Sequence, residues 1–276
     1  MEISNIIFLV VFFVAITFFI RNLNRIIANI KLGRDIDRSD RPTDRWKNMF
    51  RVAMGQSKMT RRPVAGILHI ILYLGFVIIN IEVIEIVVDG IFGSHRYLAS
   101  ILPIGLYNFL IGSFEILAIL VLVACVIFLI RRNVIRIKRF WSKEMTTWPR
   151  TDANLILVFE ILLMSAFLIM NATDSLLFTS GASHYVTSFS NPISQYFQFM
   201  FIGMDTATLV TIERFTWWFH IIGILGFMNY VLISKHLHIF FAFPSTYFAS
   251  LNPLGQFSNL QSVTNEVKLM MDPNAD

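Results

Sequence analysis

The sequence predicts an all-α integral membrane protein of about five transmembrane helices, with the N-terminus outside and the C-terminus cytoplasmic. Three observations carry this expectation. Apolar residues gather in five long blocks, near 5–20, 64–88, 104–130, 153–178 and 207–242, and not in amphipathic stripes. Only 15% of the residues are charged, against about 25% in a soluble domain. The basic residues concentrate in two of the four connections between blocks.

A spanning helix needs about 20 apolar residues, and all five blocks reach that, the first only just. That first block lacks a basic leader and a small-residue cleavage site, so it reads as a retained helix and not a signal peptide. Residues 193–203 are too short to span and are expected to form an external re-entrant or interfacial stretch before the last helix. Residues 21–62 hold twelve Lys and Arg against four acids, and 131–150 hold seven against one. In 89–103 the only such base is Arg96, and 179–206 contain none. By the positive-inside rule, loops 21–62 and 131–151 are cytoplasmic. The rear of the first loop, WKNMFRVAMGQSKM, reads as a short amphipathic helix along the membrane surface, serving headgroup contact or the docking of a soluble partner. The chain thus divides into a membrane domain, 1–242, and a polar cytoplasmic connector, 243–276.

The net charge of +5 would suggest nucleic acid in a soluble protein, but basic loops in a membrane protein record orientation; no nucleic-acid partner is expected. The single cysteine, Cys125, excludes a disulfide within the chain and an iron–sulfur centre ligated by cysteines of this chain alone.

Ionisable groups inside a bilayer are costly and mark functional positions. Six histidines are therefore informative: His69, His95, His184, His220, His236 and His238. An electron-carrying haem iron takes two axial ligands, which imidazoles on two helices can supply. His220 and His238 are eighteen residues apart. On one continuous helix that is five turns, so both would share a face, with a rise of about 27 Å. His236 would lie nearly on the opposite face. His69, a short way in from the cytoplasmic end of the second helix, matches His238 in depth, which makes this the best axial pair. For His220 only His95 or His184 could reach from outside. The alternative for His69 is an ordinary helix–helix hydrogen bond. The candidate cofactor-binding set is His69, His238, His220, His236 and His95, with His69, His238 and His220 as metal ligands.

The stretch from His220 through Ser234-Lys235-His236-Leu237-His238 resembles the last helix of the gamma subunit of respiratory nitrate reductase. With Pro244 and Thr246-Tyr247-Phe248 after it, and Arg62-Pro63 six residues before His69, it looks closer to a sub-family. These are haem-b membrane domains joined to heterodisulfide-reductase-like iron–sulfur proteins, including electron-transfer-flavoprotein:menaquinone oxidoreductases. The resemblance implies His69 and His238 as ligands of the haem nearer the cytoplasm and His220 as a ligand of an outer one. It also implies a cytoplasmic iron–sulfur partner, electron-transfer flavoprotein beyond it, and menaquinone. The nitrate reductase pattern has a second histidine where Ile79 stands here, so one haem b is expected and a second stays open. No cysteine follows residue 125, so the iron–sulfur part is expected on a separate chain or outside these residues.

Other polar groups fit less specifically. Glu82, Glu85 and Asp89 share a helix face, as a proton path for quinol chemistry or as an acidic rim with Arg96 as counter-ion. Glu115, Glu160 and Asp174 are lone intramembrane acids, and Glu213-Arg214 a local pair. Trp217 and Trp218 are interface anchors or quinone contacts. Arg61 and Arg62 neutralise haem propionates or only record orientation. The expected function is a membrane cytochrome b subunit passing electrons between a cytoplasmic iron–sulfur oxidoreductase and the quinone pool of a bacterial inner membrane. The alternative is a cofactor-free anchor for such a complex. A transporter would carry helices broken near the midplane, and these blocks are expected to run unbroken.

Overall fold

The computed structural model describes residues 3–143, 145, 147–185, 189–253, 255 and 260–272, and every regular element among them is helical. In chain order these are α1 (Ile3–Ile30), α2 (Pro42–Met49), α3 (Pro63–Phe92), α4 (Tyr97–Ile101), α5 (Ile104–Leu129), α6 (Thr147–Thr179), α7 (Thr206–Val231), α8 (His238–Tyr247) and α9 (Gln261–Met271). Four helices are long and apolar enough to cross a membrane: α1, α3, α5 with the turn that extends it to Val134, and α6. α7 and α8 make a fifth span if taken together.

Local chemistry sets the ends. Pro63 opens α3, where its missing N–H costs nothing. Gly93 closes α3 at φ +72°, in the left-handed region that glycine adopts without strain. The Asp205 side chain accepts the Thr208 N–H at 3.0 Å and caps α7.

The long helices form a closed ring, α1 against α3, α3 against α5, α5 against α6, α6 against α7, and α7 back against α1. Asn5 on α1 donates to the Gly90 carbonyl at 3.0 Å. A Cβ at Gly90 would stand 2.6 Å from the Phe8 ring, so only glycine lets these two helices approach. The outward faces are apolar, with Phe13, Ile67, Phe109, Leu162, Phe215 and Ile222 exposed. That is what lipid demands of a bundle whose backbone polar groups are satisfied within helices.

The expected last helix, 207–242, is not continuous. α7 stops at Val231, a 3-10 turn covers Lys235–Leu237, and α8 leaves at 84° to α7. α8 crosses the boundary placed at residue 242 and lies on α2 at the basic end of the bundle. The amphipathic segment of the first loop is also found, beginning earlier, at Pro42, and ending in a π-helical turn, Phe50–Met54.

Arg45 fastens α2 to α8. Only 1% exposed, it donates to the carbonyls of Tyr247 at 3.2 Å and Ala249 at 3.1 Å and pairs with Asp40. Hydrogen bonds from Arg45 and then Arg41 hold the Asp40 carboxyl below the usual carboxylate range. Asn48 adds a bond to the Thr246 carbonyl at 2.6 Å, and Trp46 meets Tyr247 edge-on at 5.2 Å. Arg45→Ala should leave the partly buried Tyr247 and Ala249 carbonyls without this donor and cost about 1–3 kcal/mol. The check is a lowered thermal midpoint in detergent together with faster proteolysis between α7 and α9.

Candidate functional site

The break after α7 is built by two side chains. Asp152, on α6 and 1% exposed, accepts the Tyr230 hydroxyl at 2.5 Å and the Lys235 N–H at 2.9 Å. Ser234 turns its hydroxyl onto the His236 N–H at 3.0 Å, in the manner of an N-cap. Backbone donors freed by the break therefore have acceptors, without which ending a helix among apolar neighbours would be costly.

This break sets the histidines. His238 opens α8, and its ring centroid lies 6.4 Å from that of His69 on α3, with 40° between the planes. His238 Nδ1 sits 2.9 Å from the Lys235 carbonyl. A carbonyl can only accept, so Nδ1 bears the proton and Nε2 keeps its lone pair. Histidines that bind metals are commonly oriented in this way. His69 Nδ1 is buried without a hydrogen-bond partner. A metal–nitrogen bond is about 2 Å long, so two imidazoles joined through one metal atom stand with centroids about 6 Å apart. Among the described residues no three His, Cys, Asp or Glu side chains are grouped to hold a metal ion. The ring spacing matches that of two imidazoles sharing one metal atom.

The other candidates are placed differently. His236 does not face away: its ring is 5.4 Å from His238 and 5.9 Å from Phe227. The face assignment assumed an unbroken helix, and the break rotates residue 236 back toward residue 238. For the same reason His220 and His238 do not stand on one helix five turns apart. His220 is buried on α7, with Nδ1 held by the Leu163 carbonyl at 3.0 Å and its ring 6.0 Å from Phe167. His95 is drawn to Asp174, with Nε2 at 3.2 Å from Oδ2, and its ring lies 5.4 Å from His184.

At that opposite end the acids acquire partners. Arg96 is buried and binds Asp174 at 2.8 Å and Asn171 at 2.7 Å, with Glu82 at 3.9 Å. Burial alone would lower its pKa, but Asp174 and the nearby acids carry it well above the ordinary arginine value. Glu85 accepts the Leu98 N–H at 2.9 Å, and Asp89 accepts from Ser94, Arg96 and Tyr97, so both fix the turn after α3. Glu213 pairs with Arg214 and accepts the Tyr185 hydroxyl at 2.6 Å.

Two carboxylates do more than the sequence disclosed. Asp152 falls between the second basic loop and the fourth apolar block, and no role for it is legible there. Glu115, whose partners the sequence leaves unassigned, accepts from Asn171 at 3.0 Å, the Ser194 hydroxyl at 2.5 Å and the N–H groups of Ile193 and Ser194. It thereby anchors the 3-10 turn Ser194–Met200, which lies within the expected re-entrant stretch. Ser234 ahead of two histidines was a readable cap signal; nothing local announced either acid's partner.

Comparison with known proteins gives two relatives. The chain is 27% identical over 273 residues, 96% of its length, to the "Probable iron-sulfur-binding oxidoreductase FadF" of Bacillus subtilis (strain 168), covering 35% of that protein. It is 26% identical over 224 residues, 79% of its length, to the "EtfAB:quinone oxidoreductase" of Syntrophomonas wolfei, covering 30% of it. The chain spans about a third of the length of these curated relatives. No family profile matches it, and no solved structure matches it.

Asp152→Ala should leave the Lys235 N–H and the Tyr230 hydroxyl without their acceptor and lower stability by about 1–3 kcal/mol, with Tyr230→Phe costing less, about 0.5–1.5 kcal/mol. Thermal unfolding of the purified protein measures both; equal effects would remove the Lys235 bond from this account.

Proposed function

We propose that the chain is the membrane part of a quinone-linked oxidoreductase, carrying b-type haem between an iron–sulfur protein and the quinone pool of a bacterial inner membrane. The observation that supports it best is the His69–His238 pair: two imidazoles from distant stretches meeting at the spacing of axial ligands. The relatives' names support it from a second side, since one is an iron–sulfur-binding oxidoreductase and the other acts on quinone.

In this reading His69 and His238 would hold the haem, and the Lys235 carbonyl, by holding Nδ1 of His238, would leave Nε2 free to ligate. Haem, when bound there, supplies a one-electron carrier. Asp152 and Ser234 hold the break on which His238 stands. His69 is partly buried on α3 and His238 is exposed at the head of α8, and Arg61 and Arg62, both exposed, are available to propionates or to a partner. His220, with Nδ1 satisfied by Leu163, is the ligand that a second haem would use. The basic end, with loops 31–62 and 130–146, faces the cytoplasm and receives a heterodisulfide-reductase-like iron–sulfur protein, with electron-transfer flavoprotein upstream and menaquinone as the membrane partner. The chain contributes ligation and orientation.

A second reading is favoured by one feature: the α2–α8 platform is built by Arg45 and Asn48 without any histidine. The same fold would then serve as a cofactor-free anchor. The purified protein decides between them. Haem b should be found at about one per chain by pyridine assay, with b-type bands in reduced-minus-oxidised spectra. His69→Ala and His238→Ala should each abolish that haem, and His236→Ala should retain it. A colourless wild-type protein would refute the haem reading.

A further inference from the structure

The end of the bundle opposite the basic loops contains a cavity of about 550 Å³, lined by α1, α3, α6, α7 and residues 182–185. Three side chains on its wall share an unusual state. Glu82 is 2% exposed, and its Oε2 has no hydrogen-bond partner. Asp174 is 2% exposed, with Oδ1 likewise unpartnered, and His95 leaves Nδ1 unpartnered. The other polar atom of each is engaged: Asp174 Oδ2 by Arg96 and His95 Nε2, and Glu82 Oε1 faces Arg96 at 3.9 Å. Buried polar atoms without partners are rare in native proteins. Three residues that line one cavity, each with one orphaned polar atom buried in its wall, describe a site for a ligand that carries polar atoms of its own.

The rest of the wall specifies that ligand. Trp217 and Trp218 line the cavity and meet edge-on at 5.2 Å, with Phe8 at 5.8 and 6.3 Å from them. Such walls suit a flat aromatic ring. Trp218 also lines an apolar groove of about 580 Å³ between α6 and α7, with Phe159, Leu162, Phe219 and Gly226. A polar aromatic pocket sharing a wall with a lipid-facing apolar groove fits a polar ring that bears a hydrocarbon tail.

We propose that this cavity binds the ring of a polyprenyl quinone, with Glu82 and His95 as the groups that exchange protons with its two oxygens and the tail leaving past Trp218. The assignment rests on the quinone-linked reading above and deepens it by giving the quinone a place. Reduction takes up two electrons and two protons and turns both carbonyls into hydroxyls; the electrons come from the iron–sulfur partner. His95 gives its Nε2 proton to the bond with Asp174, so neutral Nδ1 accepts a quinol O–H, and Glu82 Oε2 accepts the other. In the reverse direction both groups, protonated, donate to the carbonyls. Thirteen residues of α3, about 20 Å, separate His69 from Glu82, so this site is distinct from the histidine pair. His220 lies three residues past Trp217 on α7, between the two levels.

The test uses the full chain in lipid nanodiscs and two probes: menadione, which has no tail, and a naphthoquinone with a two-isoprene tail. Binding is read by calorimetry, without reference to haem. Glu82→Gln and His95→Phe should each weaken both probes at least tenfold. Trp218→Ala should weaken the tailed probe more than menadione. An azido-naphthoquinone on the wild-type protein should label peptides of α3 from Ile81 to Phe92 or of α7 from Thr206 to Trp218. Undiminished binding in the Glu82 and His95 variants, or labelling confined to the basic end, would overturn the site; the wild-type label decides the matter if a variant fails to fold. A colourless protein that still binds both probes in the cavity would refute the haem reading and leave this one standing.

Discussion

A helix that ends inside an apolar bundle leaves backbone N–H and C=O groups with no water to receive them. In this protein the last apolar block ends early because Asp152, from a neighbouring helix, supplies an acceptor at the point where α7 stops, and Ser234 supplies the next. The chain can then turn through 84° and run along the basic end as α8. His238 stands at the first residue of that helix. Its approach to His69, and the presence of His236 beside it, both follow from the turn.

Polarity in the bundle is gathered toward two poles. One pole holds the break, Asp152 and three histidines. The other holds Arg96, Asp174 and the acids of α3. From Arg96 a chain of bonds passes through Asn171 to Glu115 and on to Ser194, joining the turn before α4 to α6, α5 and the 3-10 turn. Such a network in a low-dielectric interior is rigid when its members are satisfied. Three atoms on the cavity wall are left out of it, and this contrast gives the cavity its chemical character.

The membrane blocks, the loops between them and the short surface helix of the first loop could be read residue by residue, because long apolar runs and clustered lysines and arginines act locally on where a segment can reside. The His69–His238 meeting was also anticipated, though partly for a reason that fails. It relied on an expected match in depth and was accompanied by a face argument, for His220 and His238, along a helix that does not continue. The placement of His236 depended on a continuous helix that the turn at Asp152 interrupts, and His95 is drawn to Asp174.

What the sequence determined by itself is the class of the protein: apolar blocks of spanning length and a basic end. What the tertiary structure decided is which polar groups meet. Asp152 with Lys235, Asp174 with Arg96 and Glu115 with Ser194 are each more than seventy residues apart in the chain. Hydrophobic burial is non-directional and is legible from composition. Hydrogen bonds between distant side chains are directional, and their partners emerge only when the helices have been set side by side.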